Sequence, residues 1–196
     1  DNKKYISAYF SDYNKKWKHG DFILINDNYG VKIFGRSDST LNPGGIRIGT
    51  AEIYQALNNI KYIKDSLVVG QTKDKDERIV LFLMFNNDFD FNSDIKKEIK
   101  MKIRNYCSPK HVPSIILPIE DIPYTMNGKK VEIAVKKIIN GFKVDNKESL
   151  ANPESLECYK NIKKTNKNPS LIHNYVEGKT KIKPAWYNCY DIENVK

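Results

Sequence analysis

Arginine is scarce in this chain. Of its 33 basic residues only four, Arg36, Arg47, Arg78 and Arg104, are arginines. The net charge of +9 is therefore carried mostly by lysine, spread through every segment. Nucleic-acid surfaces tend to gather arginine and aromatics along one face, so this pattern favours solvated lysine faces and anionic small molecules over a nucleic-acid partner. Cysteine is also sparse. Cys107, Cys158 and Cys189 are widely spaced and form no C-x-x-C pair. This excludes a cysteine zinc site and fits a reducing cytosol better than a disulfide framework. No apolar run approaches the roughly 18 residues that a membrane helix needs, and no secretory signal follows the basic residues at Lys3 and Lys4. A Ser/Thr/Gly-rich phosphate-binding loop is missing too. The chain starts at Asp1 rather than methionine, which suggests a fragment or a processed chain.

What is present divides into unequal parts. With 196 residues, 40% of them hydrophobic, the chain has room for one or two domains and a core that needs no staples. Residues 1–20 are aromatic and basic, with no evident core of their own. Phe22–Ile25, a turn at residues 26–30, and Val31–Phe34 read as a β-hairpin, a unit marginal by itself in water. Next comes a polar bend with Pro43, Gly44, Gly45 and Gly49, backbone that permits sharp, left-handed turns. Thr50 is the expected N-cap of a helix whose apolar stripe is Ile53, Ala56, Leu57 and Ile60. Apolar runs at residues 66–70 and 79–85 read as buried strands joined by a charged, solvated tip at residues 74–77. An amphipathic helix carries Ile95, Ile99 and Ile103 on one face. A strand at 114–119 and a helix at 131–140 complete a compact α+β unit with three strands and three helices. From residue 163, seven lysines against three acids suggest a solvated tail.

Two stretches carry chemistry beyond folding. The first is Gly35-Arg36-x-Asp38 followed by Gly45-x-Arg47-x-Gly49-x-x-Glu52-Ile53. It resembles the hinge motif of the adenylate-forming enzymes, the family of acyl-CoA synthetases, peptide-synthetase adenylation domains and luciferases. The wording Thr40-Leu41-Asn42-Pro43 is similar to that of the acetoacetate-activating members, as are His19 before Gly20-Asp21 and the ending Asn152–Tyr159. The second stretch is Ile122–Lys130, a loop opened by Pro123 and closed by Asn127-Gly128, with a lysine at its tip. By itself it is an ordinary turn. Beside the hinge motif it resembles the family's lysine loop.

The resemblance covers about residues 5–162 and implies an organisation. Residues 1–37 would be the tail end of an N-terminal adenylation domain, with its remnant hairpin. Residues 38–142 would be the small C-terminal lid, a mixed three-stranded sheet with helices. Residues 143–162 would be a C-terminal extension and 163–196 a flexible basic tail. It also implies roles. Lys129 would be the catalytic lysine; Asp21, Arg36 and Arg47 would face ATP or AMP; Gly45 and Arg104 would face CoA; Asp38 would be the hinge. The implied reaction joins acetoacetate to CoA through an acyl-adenylate, using ATP and Mg²⁺ held mainly by a domain that these residues do not include. The chain alone would then be inactive. No metal site is expected in it, nor a membrane or nucleic-acid partner. Two other readings stay open: a ligase fragment for another short acid such as acetate, and a non-catalytic basic binding module.

Overall fold

Seven residues in a row from Ile79 to Phe85 are apolar, and the fold shows why alternation is absent. The computed structural model describes residues 2–13, 15–86, 89, 91–160 and 162; the expected flexible tail lies outside them. Helix α1 (Lys3–Tyr9) precedes a two-stranded antiparallel sheet, β1 (Asp21–Ile25) and β2 (Val31–Arg36). Then follow α2 (Thr50–Leu57), β3 (Ile63–Lys73), β4 (Asp76–Phe85), α3 (Ser93–Tyr106), β5 (Ile115–Pro118) and α4 (Glu132–Ile139). The larger sheet has the order β3-β4-β5, with β3 antiparallel and β5 parallel to the central β4. The mixed three-stranded α+β lid expected from the sequence is the observed fold.

Both faces of this sheet are covered, which is why its strands are apolar throughout. On one face Val68, Ile79, Leu81 and Leu83 pack with Ile53, Ala56 and Leu57 of α2 and Ile99 and Ile103 of α3. On the other, Leu67, Val69, Val80 and Phe82 pack with Val135 and Ile139 of α4. Leu150, Leu156 and Tyr159 join that second cluster, so the segment after Gly141 helps to build the core. The Tyr159 ring stands edge-on to Phe82, with centroids 4.9 Å apart, and its hydroxyl donates to the Asp121 carbonyl.

The small hairpin contrasts with this core. Ile23, Leu24, Ile25, Val31 and Ile33 are all exposed, Ile33 at 63%. The hairpin's apolar side chains are thus left open to water.

One local reading needs correction. Thr50 does not cap α2. Gly49 occupies the cap position without a side-chain bond, and Thr50 is buried inside the first turn. Close approach of backbone sets this helix start: a Cβ on Gly49 would lie 2.4 Å from the Phe34 carbonyl oxygen. Helix α3, by contrast, has a cap that was not expected, with Asn92 accepting from the amides of Asp94 and Ile95. Of the cysteines, Cys107 is a free thiol.

The two sheets should respond differently to truncation. Phe82→Ala, in the doubly covered strand, is expected to cost about 3–5 kcal/mol. Ile33→Ala, on the open hairpin, should stay within about 0.5 kcal/mol. Urea midpoints of the two variants check both values.

Candidate active site

The lysine loop is a tight turn built from its own backbone. The Gly128 amide donates to the Thr125 carbonyl at 2.8 Å, and the Thr125 amide donates to the Lys129 carbonyl at 2.8 Å. The Lys129 amide also donates to Thr125 Oγ1 at 3.1 Å. Gly128 sits at φ +72°, the left-handed corner that closes the turn cheaply only with glycine. The turn sends its two lysines in different directions.

Lys130 is engaged on every side. Its ammonium pairs with Asp65, donates to the Ser66 carbonyl at 2.8 Å, and lies 4.5 Å above the Tyr54 ring. Asp65 also accepts from the Tyr124 hydroxyl and the Ser66 amide. Burial works to raise the Asp65 pKa, but the hydrogen bonds from Lys130, Tyr124 and Ser66 outweigh it and hold the carboxyl below its usual range. Burial first, then the Asp65 charge, pushes the Tyr124 hydroxyl far up. The Tyr54 hydroxyl donates to Glu132 and accepts from the Val68 amide, so this polar cluster is satisfied. Lys129 is exposed and its side chain has no partner among the described residues. Of two adjacent lysines, one is locked into the fold and the other is free to meet an anion.

The residues proposed for the hinge also converge. Arg36 donates from Nε to Asp38 Oδ1 at 3.3 Å and from Nη2 to Asp38 Oδ2 at 3.2 Å, a two-pronged carboxylate grip. Nη1 donates to the His19 carbonyl at 2.8 Å and lies 3.7 Å from Asp21. The Asp38 bond raises the Arg36 pKa. Gly20 makes room here: at φ +87°, its Cβ would sit 2.9 Å from the guanidinium. Asp21, Arg36 and Asp38, singled out separately in the sequence, thus form one charged cluster with His19, which pairs with Asp21.

The glycine bend carries the remaining candidates. Gly44 and Gly45 have φ of +58° and +79°, and a Cβ on either would meet nothing within 4 Å. Arg47 is exposed and stacks over the Phe22 ring at 5.1 Å. Arg104 is exposed in the last turn of α3, and no described contact joins it to Gly45 or Arg47. Among the described residues no group of three His, Cys, Asp or Glu side chains converges to hold a metal ion. No helix among the described residues is long and apolar enough to cross a membrane.

Comparison with known proteins places this geometry. No family model matches the chain. It is 47% identical over 161 residues to the acetoacetyl-CoA synthetase of Xenopus tropicalis, covering 81% of this chain and 24% of that protein. It is 45% identical over 159 residues to the acetoacetyl-coenzyme A synthetase of Rhizobium meliloti (strain 1021), with the same coverage. The solved acetoacetyl-CoA synthetase from Streptomyces lividans superposes with a TM-score of 0.76 at 33% identity, over 85% of this chain and 25% of that one.

Over four-fifths of its length the chain is similar to the C-terminal part of acetoacetyl-CoA synthetases.

It spans about a quarter of the length of the curated relatives it matches, at their C-terminal end. An anthranilate CoA ligase solved in complex with anthranoyl-AMP has a TM-score of 0.58 at 18% identity over 66% of this chain, and so shares its fold. Local sequence patterns do not reveal the partners that fix this turn, above all Asp65 and Tyr54. Tyr124 lies inside the lysine loop itself, but its carboxylate acceptor is 59 residues away, beyond any local pattern.

The two lysines should separate cleanly in a stability measurement. Lys130→Met leaves a partly buried Asp65 without its cation. The cost is expected to be about 1–3 kcal/mol, below the fully buried case because the pair is still a quarter exposed. Lys129→Met should stay within about 0.5 kcal/mol. Because the folded Asp65 pKa is depressed, the pair stabilises above the unfolded carboxyl value of about 3.9 and is lost as pH falls through the lower folded value. Denaturation curves at neutral pH and near pH 3 should therefore show the Lys130→Met deficit shrinking in acid.

Proposed function

We propose that this chain is the lid of a ligase that activates acetoacetate with ATP, through an acyl-adenylate, and passes the acyl group to CoA. One observation carries the reading: the free Lys129 ammonium stands on a rigid turn beside a lysine that the fold has consumed. Similarity to acetoacetyl-CoA synthetases over most of the chain supports the choice of acid.

The chemistry follows from charge. In the first step the acetoacetate carboxylate attacks the α-phosphorus of ATP, and pyrophosphate leaves. Two anions must meet, so an ammonium that touches both offsets their repulsion and aligns them. Lys129 can fill that role because nothing in its surroundings already neutralises it. No general base is needed, since the carboxylate is ionised at neutral pH. In the second step the CoA thiol attacks the acyl carbonyl and AMP leaves. For that step the lid turns about Asp38, withdrawing Lys129 and presenting Gly45 to the pantetheine arm. Bare, unobstructed backbone at Gly44 and Gly45 suits the passage of a narrow thiol chain. Asp21 and Arg36, held together by the hinge cluster, would face the nucleotide ribose; Arg47 would meet phosphate, and Arg104 would meet CoA. The adenine and acyl pockets would come from an N-terminal domain, residues 1–37 being its last piece, so residues 38–162 alone would not make thioester.

Half-reaction assays test this once the chain is joined to the adenylation domain of a relative. Lys129→Ala should slow acetoacetate-dependent pyrophosphate exchange by about 10²-fold or more, while CoA-dependent consumption of supplied acyl-adenylate persists. Gly45→Leu should do the reverse. Equal impairment of both assays by both variants would overturn the assignment.

A further inference from the structure

The tip of the β3–β4 hairpin was expected to be solvated, and Asp74, Lys75 and Asp76 are exposed, while Glu77 is half-buried. Asp74 and Lys75 form the two-residue turn, at φ +48° and +66°, and point outward as such tight hairpin turns do. The next two carboxylates fold back onto the glycine bend. Asp76 Oδ1 accepts from the Gly44 amide at 2.9 Å. Glu77 Oε1 accepts from the Asn42 amide at 2.7 Å, and its other oxygen pairs with Lys136 of α4 at 2.9 Å.

A seat has been left for Glu77. Gly70 lies on the neighbouring strand, and a Cβ there would fall 2.1 Å from Glu77 Cδ. The glycine is what lets this carboxylate lie flat across β3, with only 17% of its side chain exposed. The same stretch of β3 is tied to the end of α4. Asn140 donates to the Gly70 carbonyl at 3.1 Å and accepts from the Thr72 amide at 2.7 Å, and Gln71 donates to the Ile139 carbonyl at 3.1 Å. Two left-handed glycines with open space around them would otherwise sample many conformations. Charge-assisted bonds to their loop's amides are the strong kind.

We propose that Asp76 and Glu77 are positioning residues, which clamp the Asn42–Gly45 loop to the hairpin and, through Lys136, to the helix that follows the lysine loop. The clamp keeps the loop shaped for the thiol of CoA. That last role rests on the function proposed above; the clamp itself does not. The lowered pKa of Asp76, caused first by the Gly44 amide and then by the Glu77 amide, agrees with it.

Three substitutions test the clamp. Asp76→Ala and Glu77→Ala each remove one acceptor. Gly70→Ala keeps both carboxylates but pushes Glu77 from its seat; because the crowded atoms end a flexible side chain, the strand survives. Asp74→Asn, in the outward turn, is the control. In the 196-residue chain, NMR amide exchange should quicken roughly tenfold at Gly44 in Asp76→Ala, and at Asn42 in the other two, as expected for loss of one strong hydrogen bond. In the protein joined to a relative's adenylation domain, the same three should slow CoA-dependent acyl-adenylate consumption about tenfold and leave pyrophosphate exchange within about twofold. Unchanged amide rates in all three variants would overturn the clamp. Faster amides with an unaltered CoA step would overturn the positioning role. If the unsubstituted joined protein shows neither half-reaction, the functional reading falls, and the amide rates still decide for or against the clamp.

Discussion

Strand β4 has to be dry on both faces, and most of the fold is the consequence. Its alternate side chains, Ile79, Leu81 and Leu83 on one side and Val80 and Phe82 on the other, are fully buried. One layer of helix covers only one side. Helices α2 and α3 take the first side; α4 and the segment ending at Tyr159 take the second. Each loop between these covering elements must cross an end of the sheet. The glycine bend enters α2 and the lysine loop enters α4, so the two loops that carry the candidate chemistry are by-products of wrapping one strand. Their positions depend on packing before they depend on any reaction.

Carboxylates then fix those loops to the hairpin. Asp65, near the start of β3, takes Lys130 and Tyr124 of the lysine loop. Asp76 and Glu77, at the start of β4, take the amides of the glycine bend. None of the three is a deeply buried unpaired charge, which would be costly; each accepts from groups that need an acceptor. The hairpin is thus the frame, and the loops hang from its two ends.

The architecture was largely legible in the sequence, because it depends on local patterns. Unbroken apolar runs marked doubly covered strands, and the spacing of Ile95, Ile99 and Ile103 marked the α3 face. The glycine-rich hinge and the Asn127-Gly128 turn were readable because φ > 0 restricts residue type so strongly. The contents of the site were legible only in part. That Lys129 rather than Lys130 is free depends on Asp65, Ser66 and Tyr54, all more than 60 residues away in sequence. The inward turn of Glu77 was hidden because a run of Asp, Lys, Asp and Glu looks solvated whatever one of its members does. The role of Gly70 was hidden as well, since a glycine in a strand announces close approach without saying of what. Thr50 was misread for a related reason: a local capping rule gave way to the contact between Gly49 and the Phe34 carbonyl, a tertiary constraint.

On the function proposed above, the Arg36–Asp38 cluster is where such a frame would turn as one body. The grip of Arg36 on Asp38 is local, two residues apart, whereas its contacts to His19 and Asp21 reach back to the small hairpin. All four side chains or carbonyls are at least partly open to water, where charged contacts can be exchanged at modest cost. The contacts that hold the lid together are of another kind: buried apolar layers, a locked lysine, and carboxylates seated on backbone amides. A rotation at Asp38 would therefore break the exposed contacts and spare the seated ones. For a reaction that needs two loops at one centre in turn, that ordering of strengths is the physical requirement. In the proposed reaction, a weak joint beside a stiff frame would let Lys129 leave, and the glycine bend arrive, without either loop changing shape.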